Sequence, residues 1–215
     1  MKGLIEKDLR LLSKRKQTII LFFGITILMS FTSGAFAVAY TTFLLTLMVI
    51  STINYDEFDN GYAFLMTLPI TREKYVRSKY VLALSSDVIA WVVSVVVLAL
   101  IYMLRGENVN LLNNVFELLL YVPFALVCAD IMIPVQLKYG AEKSRIAMAI
   151  ICIIFGSFGV IAMKVLKSLD TDGSVTNMLN GIDDAIFLSI AVLFCLMLTV
   201  ISYMISVKIM NNKEF

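Results

Sequence analysis

The chain has 215 residues, 60% of them hydrophobic and 16% charged, with a mean hydropathy of +0.90 and a formal net charge of +2. Soluble domains are nearer half apolar with about a quarter of residues charged, so this composition excludes a water-soluble globule and fits a chain whose solvent is lipid. A charge of +2 gives no ground for a nucleic-acid partner, and the absence of histidine removes the commonest general base and the commonest metal ligand.

Met1 to Lys16 has helical periodicity. Leu4, Ile5, Leu9, Leu11 and Leu12 share one face, while Lys2, Glu6, Lys7, Arg10 and Lys14 occupy the rest. Such a helix, over residues 1–16, suits a membrane interface with its basic face toward anionic headgroups. From Gln17 to Tyr55 no residue is charged. One crossing needs about 20 apolar residues, so this stretch crosses twice. The first span is predicted over Thr18 to Phe31, the second over Ala35 to Tyr55, with Ser30-Phe31-Thr32-Ser33-Gly34 as a short turn. Ala35-Phe36-Ala37 resembles a signal cleavage site, but more apolar chain comes after it, which speaks against cleavage.

The segment 56–80 is polar. It opens with Asp56, Glu57, Asp59, Asn60 and Gly61, passes through an apolar run from Tyr62 to Leu68, and continues as Pro-Ile-Thr-Arg-Glu-Lys-Tyr-Val-Arg-Ser-Lys-Tyr from Pro69 to Tyr80. Pro69 disfavours helix at Leu68, and Thr71 is placed to cap the next helix. A short helix outside the lipid, joined by a bend to the third span, is predicted. That span runs from Val81 to Leu104. The fourth, from Val115 to Val135, contains Pro123 and Pro134, and a kink is expected at Pro123. A loop over Gln136 to Arg145 leads to the fifth span, Ile146 to Leu166. After the loop 167–185 the sixth runs from Ile186 to Val207.

Basic residues fix the orientation, because short positive loops stay in the cytosol. Lys2, Lys7, Arg10, Lys14, Arg15, Lys16, Arg72, Lys74, Arg77, Lys79, Lys138, Lys143, Arg145, Lys208 and Lys213 fall on one side of a six-span chain. Only Arg105, Lys164 and Lys167 fall on the other, with Glu107, Glu117, Asp170, Asp172, Asp183 and Asp184. Both termini are therefore expected in the cytosol.

A basic amphipathic N-terminus, a two-span hairpin, an acidic-Gly segment and then Leu-Pro-Ile-Thr-Arg-x-x-Tyr-Val-x-Ser-Lys-Tyr over Leu68 to Tyr80 resemble the permease subunit of type 2 ABC transporters. Within that family the chain is similar to small bacterial permeases, some of which export peptides. The resemblance implies an all-α polytopic membrane protein of six transmembrane helices, with residues 1–16 as an interfacial elbow helix. It implies that the stretch around Leu65, Leu68, Pro69, Ile70, Thr71, Arg72, Glu73 and Tyr75 is a cytosolic coupling helix, supported by Asp56, Glu57 and Gly61. It also implies two copies of a separate ABC ATPase, which would hold ATP and Mg2+. A second permease chain, identical or related, and a place in the bacterial cell membrane complete the implication. The 167–185 loop would be the outer segment before the last span.

No G-x-x-x-x-G-K-[ST] occurs, so no phosphate-cradling loop is present. No H-E-x-x-H or G-x-S-x-G occurs either. The chain itself is expected to be no enzyme and to hold no cofactor. Cys128, Cys152 and Cys195 lie in apolar runs and read as packing residues. Gly156 and Gly159, and the stripe Ser86, Ala90, Ser94, read as helix contacts. Two acids, Asp87 and Asp130, fall within spans three and four, a costly position for charge. They are expected near the inner end, hydrated or paired with the basic loops. Alternatively they form a proton relay in a secondary transporter or channel. The abundant Met and Phe lean toward an amphipathic peptide, lipid or hydrophobic toxin as substrate.

Overall fold

The computed structural model describes residues 2–31, 33–58, 61–106, 118–169 and 184–213, and among these every regular element is a helix. Glu107, Glu117, Asp170, Asp172 and Asp183, with most of the 167–185 loop, lie outside the described residues.

Helix α1 spans Lys2–Lys14. Arg15 leaves helical geometry, at φ −99° and ψ 27°, and α2 restarts at Lys16 and runs to Ser30. The break turns an amphipathic helix into one that is apolar all round. A turn through Phe31 and Ser33 then starts α3 at Gly34–Ile50. Gly34 lets the helix pack closely: a Cβ there would overlap the ends of the Leu98 and Tyr102 side chains, which would have to shift. Thr26 and Thr41 meet across the α2–α3 seam at 2.5 Å. Each also reaches a carbonyl one turn back in its own helix, Phe22 and Ala37. Hydroxyls and small residues are what can hold helices together where lipid competes for every apolar contact.

After Ser51 the short α4 covers Thr52–Glu57, and α5 covers Gly61–Thr67. Helix α6 runs from Arg72 to Arg105, 34 residues, or about 51 Å. That exceeds a hydrocarbon core of ~30 Å by several turns. Gly106 ends it in the left-handed conformation, φ 67°.

Helix α7 spans Tyr121–Leu169 and holds one non-helical residue, Gly140, at φ 74° and ψ −177°. One expectation is met in part and one is corrected here. The expected break at Pro123 lies one turn before it: Leu118 and Leu119 are helical, Leu120 is a turn, and the helix restarts at Tyr121 with Pro123 in its first turn. The predicted loop from Gln136 to Arg145 is helical on both sides of Gly140, so the chain turns there at one residue. Pro134 does lie inside the helix and cannot bond the Asp130 carbonyl four residues back. The Ser202 hydroxyl, on the last helix, donates to that carbonyl instead. This last helix, α8, spans Asp184–Asn211.

Four segments are long and apolar enough to cross a membrane among the described residues: Gly34–Glu57, Arg72–Arg105, Tyr121–Gly140 and Ala185–Asn211. Helix α2 is apolar but has 15 residues, about 22 Å. Helix α6 packs along α3, and α8 along α7. Much apolar surface stays uncovered, including Ile190, Leu193, Phe194 and Val200 on α8, as expected of helices whose neighbours are lipid or other chains.

Candidate functional site

The larger of two buried clusters among the described residues lies where α1, α4, α5 and the start of α6 meet the end of α8. Its core contains Leu4, Ile53, Tyr62, Leu65, Tyr75, Val76, Leu137 and Met210. Tyr75 is fully buried, with Tyr62 edge-on to its ring at 5.8 Å. Burial pushes the Tyr62 phenol well above the usual tyrosine range, so it stays neutral.

Around this core lies a balanced set of charges. Lys79 Nζ is 2.7 Å from Asp8 Oδ2, 2.7 Å from Asp56 Oδ2 and 3.1 Å from Thr52 Oγ1. Lys7 bonds Asp56 and stands 3.3 Å from Asp8. The Tyr75 hydroxyl donates to Asp56 Oδ2 at 2.9 Å. Lys79, Asp8 and Asp56 are all buried, at 3%, 0% and 5% exposure. Buried charges persist only when paired and hydrogen-bonded, and here each carboxylate meets two ammonium groups. The network joins α1 to α4 and α6.

Gly61 allows the chain to fold back on this cluster, since a Cβ there would lie 2.6 Å from the Asp56 carbonyl oxygen. Glu57 faces the other way. Its carboxylate occupies the space where a Cβ of Gly140 would stand, and Lys213 approaches it at 3.9 Å.

The helix between spans two and three is α5, Gly61–Thr67, succeeded by a turn through Leu68, Pro69, Ile70 and Thr71. The expected helix around Leu65 to Tyr75 is therefore two helices and a bend. Thr71 caps α6, its Oγ1 accepting from the Lys74 N–H at 3.3 Å. The predicted coupling residues divide into two sets. Leu68, Pro69, Thr71 and Glu73 are exposed, and so is Phe64, at 69%. Leu65 and Tyr75 face inward, and Ile70 packs against the same core. The Arg72 guanidinium donates to the carbonyls of Met210 at 3.0 Å and Asn211 at 2.5 Å. It thus satisfies the open C-terminal end of α8. Glu73 accepts from the Tyr203 hydroxyl at 3.2 Å.

Asp87 and Asp130 are not near one another by any bond among the described residues, and neither pairs with a basic loop. Thr46 on α3 donates to Asp87 at 3.0 Å, and Thr199 on α8 donates to Asp130 at 2.8 Å. Both are buried, and among the described residues neither forms an ion pair with a lysine or arginine.

Sequence reasoning missed Asp8, Thr52 and the burial of Lys79. Asp8 sits four residues from Leu4 on the one face of α1 that touches the protein. That spacing was the available signal. No group of metal-ligating side chains lies together among the described residues.

No curated protein matches the sequence. The family model described as "ABC-2 family transporter protein" matches residues 3–211. That span takes in α1, the exposed bend after α5 and the end of α8. The chain belongs to this family and is an ABC-2 type permease embedded in a membrane by its apolar helices.

Proposed function

We propose that the chain is the permease subunit of an exporter driven by a separate ATPase, and that α5 with the Leu68–Thr71 turn is where the ATPase grips it. Two ATPase copies and a second permease chain, identical or related, complete the transporter. The six-span arrangement counts α2 and the apolar stretch 146–166 as crossings beside the four longer segments. Both termini then lie in the cytosol of a bacterial cell.

One observation carries this reading. Phe64, Leu68 and Pro69 stand exposed on a bend whose underside is bonded to three different helices. Tyr62 rests on Tyr75, Gly61 abuts Asp56, and Arg72 holds the end of α8. A push on the exposed side reaches α4, α6 and α8 together. Movement between inward-facing and outward-facing states is then a rigid-body switch. The uncovered apolar helices suit an amphipathic peptide, a lipid or a hydrophobic toxin as the exported substrate.

Co-purification from native membranes tests the proposal. The wild type should retain an ATPase subunit, and Phe64→Asp and Leu68→Asp should each weaken retention and lower the partner's ATP turnover. Neither side chain is buried, so the variants should still fold. Unchanged partner binding in both variants defeats the proposal.

A further inference from the structure

A cavity of about 570 Å³ opens between α7 and α8 at the end of α8, lined by Leu137, Lys138, Ile205, Lys208, Ile209, Asn212 and Lys213. Three of these residues are cations, three are aliphatic, and one offers an amide. Lys213 is engaged: its Nζ donates to the Leu137 carbonyl at 3.1 Å and faces Glu57. Lys138 and Lys208 are exposed, and among the described residues no carboxylate lies within ion-pair distance of either. The depth of the site is set by length. The segment Ala185–Asn211 has 27 residues, about 40 Å, against a hydrocarbon core of ~30 Å. Lys208 therefore stands at headgroup level. Tyr139, half exposed beneath the Lys138 ammonium at 5.1 Å from its ring centroid, belongs to the same level. Just inside it, Ile201, Met204 and Ile205 present exposed apolar surface along α8.

We infer that this cavity binds the phosphate of an anionic phospholipid, with Lys138 and Lys208 as the phosphate-holding cations and an acyl chain lying along the Ile201–Ile205 face of α8. Two exposed ammonium groups over an aliphatic floor match a phosphodiester whose tail continues into hydrocarbon. A zwitterionic headgroup brings its own cation to the same place and loses the advantage. The site adjoins the Lys213–Glu57 pair and the α8 end that Arg72 holds, so bound lipid braces the junction from the membrane side. The inference needs only that α7 and α8 span lipid. Its failure leaves the ATPase-coupling reading untouched, and the two tests share no readout.

Native mass spectrometry of the full chain in detergent, given equal amounts of phosphatidylglycerol and phosphatidylcholine, tests it. Wild type should retain phosphatidylglycerol selectively. Lys138→Gln with Lys208→Gln should lower that selectivity about tenfold or more, since each cation near a membrane surface is worth ~1 kcal/mol toward anionic lipid. Lys138→Arg with Lys208→Arg should keep it. The exposed pair Lys74→Gln with Arg77→Gln should leave it unchanged. Equal retention of the two lipids by wild type overturns the inference without reference to any variant. So does equal loss from the Lys74/Arg77 control, which would mean a diffuse surface effect. Displacement of phosphatidylglycerol by millimolar inorganic phosphate would make the ligand a soluble phosphate and overturn the lipid assignment.

Discussion

The α2–α3 hairpin and the charged junction at the other end of α3 are held by opposite means. In the hairpin the polar contacts are neutral, short-range and backed by each helix's own carbonyls, as with Thr26 and Thr41. At the junction they are ionic and bring together residues far apart in the chain, as with Lys79 and Asp8. The difference lies in what each group keeps when its partner leaves. A hydroxyl that loses its partner across the seam falls back on its own helix, so the seam can slide cheaply. A buried ammonium that loses its carboxylate has nothing to fall back on, so the junction holds one arrangement. The hairpin can adjust and the junction cannot.

Removing the central cation should break this contrast most visibly. Lys79→Met leaves Asp8 and Asp56 buried with only Lys7 beside them. It should destabilise the chain by about 3–5 kcal/mol, seen as a lower thermal midpoint in detergent. A loss below about 1 kcal/mol would mean that the four charges are not a unit.

A smaller effect should come from the two left-handed glycines. Gly106→Ala meets open space and should cost about 1 kcal/mol for its backbone alone. Gly140 has a conformation that is nearly glycine-only and has Glu57 where a Cβ would go, so Gly140→Ala should cost about 2–3 kcal/mol. Adding Glu57→Ala to Gly140→Ala should recover part of that. Equal costs at the two glycines would remove Glu57 from the account.

The hairpin should respond least. A double-mutant cycle on Thr26→Val and Thr41→Val should give a coupling of about 0.6 kcal/mol. A coupling comparable with the Lys79 effect would erase the distinction between the two regions.

Local signals in the sequence placed most of the helices. The uncharged run from Gln17 to Tyr55 required a hairpin, and the Ser30–Gly34 stretch marked its turn. Thr71 marked the start of α6 because a capping hydroxyl acts within three residues. The failures share a cause, which is dependence on residues far away. Gln136 to Arg145 is polar enough to read as a loop, yet it turns at Gly140 alone, whose φ of 74° suits only glycine and whose missing Cβ leaves room for Glu57. Lys79 reads as one more cytosolic charge until Asp8, 71 residues earlier, folds onto it. Arg72 and Tyr75 fell in a motif expected to touch a partner, and the fold directs both inward, to Met210 and to Asp56. Pattern identified the segment, and three-dimensional packing divided it into an outer and an inner face.

The position of Lys213 has a practical consequence for handling the protein. Its ammonium rests 4.5 Å from the centre of the Tyr62 ring, on the same short helix that carries Phe64. An affinity tag or fluorescent fusion appended past this lysine starts beside α5, the surface that the co-purification experiment probes, so a label cleaved off before that measurement is the sound choice.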